Sequence, residues 1–148
     1  MSAAESSNSA VVDEKLMCFQ EARVASFSNW PFKRGSLTAK KMAEAGFYHV
    51  PTAQQPDCVK CFVCLKELEG WERGDDPWKE HVDHSAQCPF ALMRPSSESE
   101  LTVCDQLRFH NFKVLVELRK RFKEERERFE ATVRRTQQSV SEQKVPAS

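Results

Sequence analysis

The sequence predicts a small α+β domain followed by one long α-helix, and three observations carry that prediction. The first is a set of four residues, Cys61-x2-Cys64-x16-His81-x6-Cys88. Zn²⁺ takes thiolate and imidazole ligands at tetrahedral corners, so a tight Cys-x-x-Cys knuckle with a His/Cys pair some twenty residues on can close a structural zinc site. The second is a series of short helical and strand-like runs before residue 94, too brief to stand without such a staple. The third is the stretch between Pro95 and Pro146, which contains no Gly or Pro at all.

The elements follow in chain order. Residues 1–13 are small and polar and read as a flexible tail. Asp13 caps a run with apolar positions at Leu16, Met17, Phe19, Val24 and Phe27, an amphipathic helix ended by Asn29-Trp30-Pro31. Thr38 can cap a short helix over 39–45, and Gly46 stands where a helix stop favours positive φ. Residues 47–50 and 58–63 read as short strands around a turn-rich segment at 51–57. Asp76-Pro77 marks a further helix start, with Asp at the N-cap and Pro at the first helical position, running to about Ser85. His81 and His84 then lie three apart on adjoining parts of one helix face. The domain spans 14–93 and the linker 94–100.

From 101 to 136, Leu115, Leu118, Phe122, Phe129 and Val133 recur near helical spacing, and Phe109, Phe112 and Val116 widen the stripe. A domain of about 80 residues cannot cover a helix some 50 Å long, so the stripe calls for other chains. Its aromatics, and heptad breaks at Arg108, Asn111 and Glu125, suit an uneven multi-helix interface better than a two-stranded coil. Leu101, Phe112, Leu115, Leu118, Phe122 and Phe129 are the interface positions. Residues 137–148 are polar and read as a frayed tail.

Composition narrows the class. No apolar run approaches the roughly 18–20 residues needed to cross a bilayer, and the first residues lack the pattern of a secretory signal, so an intracellular protein is expected. Reducing compartments keep thiols free for metal, which favours zinc over disulfides for six cysteines. Two alternatives to the ligand set stay open: Cys58 pairs with Cys61 in a second Cys-x-x-Cys, and His84 lies close to Cys88. Net charge is zero, yet residues 66–83 carry seven acidic against three basic side chains, or −4, while 105–135 carry ten basic against six acidic, or +4. An acidic metal domain is a poor DNA clamp and a plausible reader of basic peptides.

Arg23, Phe27, Trp30-Pro31, Met42-Ala43-Glu44-Ala45-Gly46-Phe47-Tyr48, Asp57, Val59-Lys60-Cys61-Phe62-Val63-Cys64, Leu68, Trp71, Asp76-Pro77, His81 and Cys88-Pro89-Phe90 together resemble a baculoviral inhibitor-of-apoptosis repeat, the BIR domain. The resemblance covers roughly 15–93 and combines metal spacing with an aromatic framework. It implies a short three-stranded antiparallel sheet surrounded by helices, holding one structural Zn²⁺. One BIR followed by one long helix, with no second BIR and no RING finger, resembles the survivin branch of the family.

That resemblance implies a non-enzymatic subunit of the chromosomal passenger complex. The long helix would bundle with borealin and the inner centromere protein, carrying an Aurora-type kinase to centromere and kinetochore and then to the spindle midzone. The implied localisation is nucleus and cytoplasm, with no membrane and no direct DNA binding. The BIR groove would take a histone tail that begins with Ala and carries phosphothreonine third. Asp75 and Glu69 match the family positions that receive the ammonium, since a desolvated charge left unpaired costs several kcal/mol. Trp71 would wall the first side chain. His84 stands where caspase-directed relatives commonly carry Trp; with Lys66 it would contact the phosphate.

The chain departs from the pattern in places. Thr38 is followed by Ala39-Lys40 rather than Pro, which removes an expected proline-directed kinase site. Gly74 replaces an acid, and Gln106 stands for an aromatic beside Leu101 and Val103 at the family's homodimer contact, so a free homodimer is less secure than the partner bundle. The alternative function is an apoptosis inhibitor that binds Ala-first peptides of caspases or their antagonists. An enzyme is disfavoured, because four protein ligands leave no open metal position for water.

Overall fold

A computed structural model describes residues 13–143; of the tails expected at 1–13 and 137–148, residues 1–12 and 144–148 lie outside the described residues. The sheet has three antiparallel strands in the order β1 (Phe47–His49), β2 (Val59–Cys61), β3 (Glu67–Leu68), with Phe47 opposite Cys61 and Val59 opposite Leu68. Five helices surround and extend it: α1 (Gln20–Ser26), α2 (Ala39–Glu44), α3 (Pro77–His84), α4 (Pro89–Met93) and α5 (Val103–Gln143).

The first expected helix is divided. A 3-10 turn at Leu16–Cys18 gives way to extended backbone at Phe19 (φ −93°, ψ 129°), and α1 starts only after it. The cause lies in Arg23, which is wholly buried. Its Nε donates to the Ala43 carbonyl at 3.0 Å and its Nη1 to the carbonyls of Met17 and Cys18 at 2.9 and 3.1 Å. The chain must kink to bring those carbonyls round. As a result Leu16, Phe19 and Val24, expected on the apolar face, are exposed, while Met17 and Phe27 are buried.

Gly46 ends α2 at φ 91°, and a Cβ there would meet the Phe90 ring at 2.8 Å, so the turn needs glycine both for conformation and for space. Trp30, Leu37, Met42, Phe47, Tyr48, Val59 and Phe90 fill the centre. Trp30 packs edge-on against Phe27 at 5.1 Å and donates from Nε1 to the Leu37 carbonyl at 2.6 Å, which ties the loop before α2 to the core.

The helix α5 is 41 residues, about 60 Å at 1.5 Å per residue. It starts at Val103 rather than 101 and runs past 136 to Gln143. Gln137, Gln138 and Glu142 are good helix formers, and the hydroxyls of Ser139 and Ser141 donate back to the carbonyls of Arg135 and Gln137, so polarity alone does not stop it. Its base folds onto the domain. Phe109 is buried, 5.5 Å from Phe90 and 6.4 Å from Phe62, and Leu101 and Phe112 pack partly against the same core. Beyond them the stripe is bare: Leu115, Leu118, Phe122 and Phe129 are 52, 41, 74 and 69% exposed.

Candidate functional site

The Cys61, Cys64, His81 and Cys88 side chains converge from four local structures. Cys61 ends β2, and the backbone then turns so that Leu65 N–H returns to the Cys61 carbonyl at 3.0 Å, with Leu65 at φ 59°. That turn carries Cys64 to the same side. Asp76 accepts from the N–H groups of Trp78 and Lys79, which starts α3 so that His81 faces inward, and Cys88 is the N-cap of α4. All four are buried, and their ligand atoms lie within 4.8 Å of one another.

The donor set fits zinc. With bonds of about 2.3 Å to sulfur and about 2.0 Å to nitrogen, a tetrahedral S–N edge is about 3.5 Å. Cys64 Sγ and His81 Nε2 are 3.5 Å apart. His81 Nδ1 lies 2.8 Å from the Ala45 carbonyl; donating there fixes the tautomer that presents a lone pair at Nε2. The N–H groups of Val63 and Cys64 donate to Cys61 Sγ at 3.3 and 3.5 Å, stabilising thiolate charge.

Proton affinities in the cluster point the same way. Hydrogen bonds from Cys61 and Cys88 hold the Cys64 thiol far below the ordinary range, while burial pushes Cys61 up. Burial works to lower His81, but the Cys64 and Cys88 sulfurs outweigh it and carry the imidazole to about 9. The sulfurs that raise the proton affinity of the imidazole attract a divalent cation for the same reason, and the cation would take the place of the proton at Nε2. Cys58 and His84 stand outside this set, which closes both alternatives among the described residues.

Beside the metal cluster, on the adjoining face of α3, lies an open cleft of about 370 Å³ lined by Lys66, Glu67, Leu68, Glu69, Gly70, Trp71, Asp75, Glu80 and His84. It contains all five expected peptide contacts. Trp71 is buried, held by its backbone N–H to Asp57 Oδ2 at 2.9 Å and packed edge-on against Phe47 at 5.8 Å. Phe47 in turn lies 4.6 Å from the His81 ring, so the cleft wall rests on a metal ligand through one aromatic. Asp75 accepts from Glu72 N–H at 2.8 Å through Oδ2, leaving its other oxygen free of that bond. Glu80 was not foreseen: its carboxylate is 3.5 Å from His84 Nε2, one turn away on α3. The i, i+4 spacing of the two residues was the available signal.

Residues 23–92 match the model of the BIR inhibitor-of-apoptosis domain. Over 121 residues the chain is 41% identical to baculoviral IAP repeat-containing protein 5 of Mus musculus, covering 81% of this chain and 86% of that one. It is 45% identical over 111 residues to baculoviral IAP repeat-containing protein 5.2-A of Xenopus laevis, covering 74% and 70%. The chain belongs to the survivin family. BIR domains bind zinc, and in this survivin relative the Cys₃His cluster lies inside the matched span. The matches to survivins run well past the BIR boundary at residue 92, so the likeness includes part of α5.

Proposed function

We propose that this chain is a non-enzymatic subunit of the chromosomal passenger complex, its BIR domain closed by one structural Zn²⁺. The BIR cleft binds the N-terminus of a histone tail with phosphothreonine third, and the bare part of α5 bundles with borealin and the inner centromere protein to bring an Aurora-type kinase to centromere and spindle midzone. The observation that carries the peptide reading is the distribution of charge within one cleft: carboxylates at Glu69 and Asp75, an aromatic wall at Trp71, and cationic or protonatable groups at Lys66 and His84. Such a cleft suits an extended peptide with a free ammonium at one place and a phosphate at another.

The test compares fluorescent peptides that begin Ala-Arg-Thr, with and without phosphate on the threonine. Phosphorylation should tighten binding, and His84→Ala should remove most of that gain while leaving the unphosphorylated peptide little changed. Equal affinity for both forms in the wild-type chain would contradict the assignment and favour an apoptosis inhibitor that takes Ala-first peptides without phosphate.

A further inference from the structure

A larger cleft, about 670 Å³, lies apart from the one just described, lined by Pro31, Phe32, Leu37 and Ser36, two glycines, and the cations Lys33, Arg34 and Arg73. The sequence hid this grouping. Arg73 sits in the acidic stretch and was counted against it, whereas the fold places it beside two cations forty residues earlier. No acidic residue lines the cleft, and among the described residues none of these three cations is in an ion pair. Of the acids near Arg73 in sequence, Asp75 accepts from Glu72 N–H and Asp76 caps α3, and the Glu72 side chain is not among the residues that line the cleft.

The frame is rigid although the cations are exposed. Trp30, 1% exposed, fixes the far end of the loop by its bond to the Leu37 carbonyl, and Lys41 Nζ donates to the Gly35 carbonyl at 3.0 Å. Gly35 and Gly74 leave open space at two edges, where an added Cβ would meet nothing within 4 Å. Three cations without ion pairs among the described residues, around a concave surface whose apolar part is Pro31 and the half-buried Phe32, with Leu37 beneath at 1% exposure, make a specific demand on an occupant. It must carry several negative charges and at least one apolar side chain.

We propose that this cleft docks an acidic peptide segment of a partner protein, with an apolar side chain against Pro31 and Phe32 and carboxylates on Lys33, Arg34 and Arg73. A nucleic-acid backbone answers the charge but offers no apolar side chain to Pro31 and Phe32. The site needs no free ammonium, so it can take an internal segment, unlike the cleft at Asp75.

The probe is an N-acetylated, fluorescein-labelled peptide, Glu-Asp-Leu-Asp-Glu, with the zinc-loaded full chain in anisotropy titrations. Acetylation removes the ammonium that the other cleft would use. The wild-type chain should bind it, more weakly as salt rises, and K33A/R34A/R73A should weaken binding about tenfold, the combined effect of three exposed charge contacts. The reversed variant K33E/R34E/R73E should instead take up the matching Lys-Lys-Leu-Lys-Lys peptide, and an unchanged Tm of both variants shows that they are folded. The Ala-first phosphopeptide should be bound equally by the wild-type chain and the triple alanine variant. The proposal is overturned if the acidic peptide is unaffected by the triple substitution, if a fifteen-base-pair duplex is preferred to it, or if the phosphopeptide is lost in parallel.

Discussion

Removing the Glu98 carboxylate tests how the rod is fixed to its head. Glu98 lies in the linker, 75 residues from Arg23, and its Oε1 accepts from Arg23 Nη2 while its Oε2 accepts from Gln20 N–H at 2.8 Å. Arg23 is fully buried beneath the Phe62 ring, 4.4 Å from the centroid, with Phe90 at 5.8 Å. Burial lowers its proton affinity below the ordinary value, and Glu98 offsets only part of that. Truncating one partner of a buried ion pair costs about 3–5 kcal/mol, because the other charge is left uncompensated. Here Glu98 is 28% exposed and Arg23 keeps three carbonyl acceptors, which moves the expected cost of Glu98→Ala down to about 2–3 kcal/mol. For a domain of this size that is a fall in Tm of about 10–20 °C.

The assay is thermal and urea unfolding at a fixed excess of zinc, on Glu98→Ala, Arg23→Met and the pair R23M/E98L. The double variant replaces both charges with apolar side chains, so it should lose less than the sum of the singles, with a coupling of about 2 kcal/mol. Hydrogen exchange at the start of α5 should rise in Glu98→Ala, because the same carboxylate ties the linker to α1. Additive losses, or a loss below about 0.5 kcal/mol for Glu98→Ala, would refute the reasoning.

Two further outcomes are expected. Glu80→Gln should tighten the phosphorylated Ala-first peptide by about 1 kcal/mol, roughly fivefold, by removing a like charge from the phosphate end of the cleft, and should leave the unphosphorylated peptide nearly unchanged in the same titration. The pair F122E/F129E should abolish capture of borealin and inner-centromere chains while the zinc domain keeps its Tm, since both rings are solvent-exposed in the isolated chain; recovery of the full complex would contradict the role given to α5.

What the sequence revealed and what it withheld divide along physical lines. The four ligands were legible because metal chemistry dictates residue type and spacing whatever packs around them. Asp76-Pro77 was legible because capping is local, and Asp76 does accept from Trp78 and Lys79. The helix start that failed was the one governed by a distant contact: the kink at Phe19 exists to serve Arg23, whose partners at Ala43 and Glu98 no window around residue 20 contains. The two-residue strand β3 was expected only from the family resemblance, being too short for periodicity, and α4 was missed although Pro89 follows its N-cap. At the other extreme α5 outran its apolar stripe, because the stripe records where partners fit and not where backbone hydrogen bonds stop. The peptide cleft lay midway. Its five expected residues meet on one surface; Glu80 was readable in principle from its i, i+4 spacing to His84, whereas the grouping of Lys33 and Arg34 with Arg73 comes from tertiary proximity alone.

Zinc is the measurement that bears on all of this most directly. Elemental analysis of the purified chain should give one zinc per molecule, and a strong chelator should collapse the folded signals of residues 14–93, including the Trp71 environment that rests on His81 through Phe47. A metal-free chain whose tryptophan and near-ultraviolet signals match those of the native protein would contradict the account.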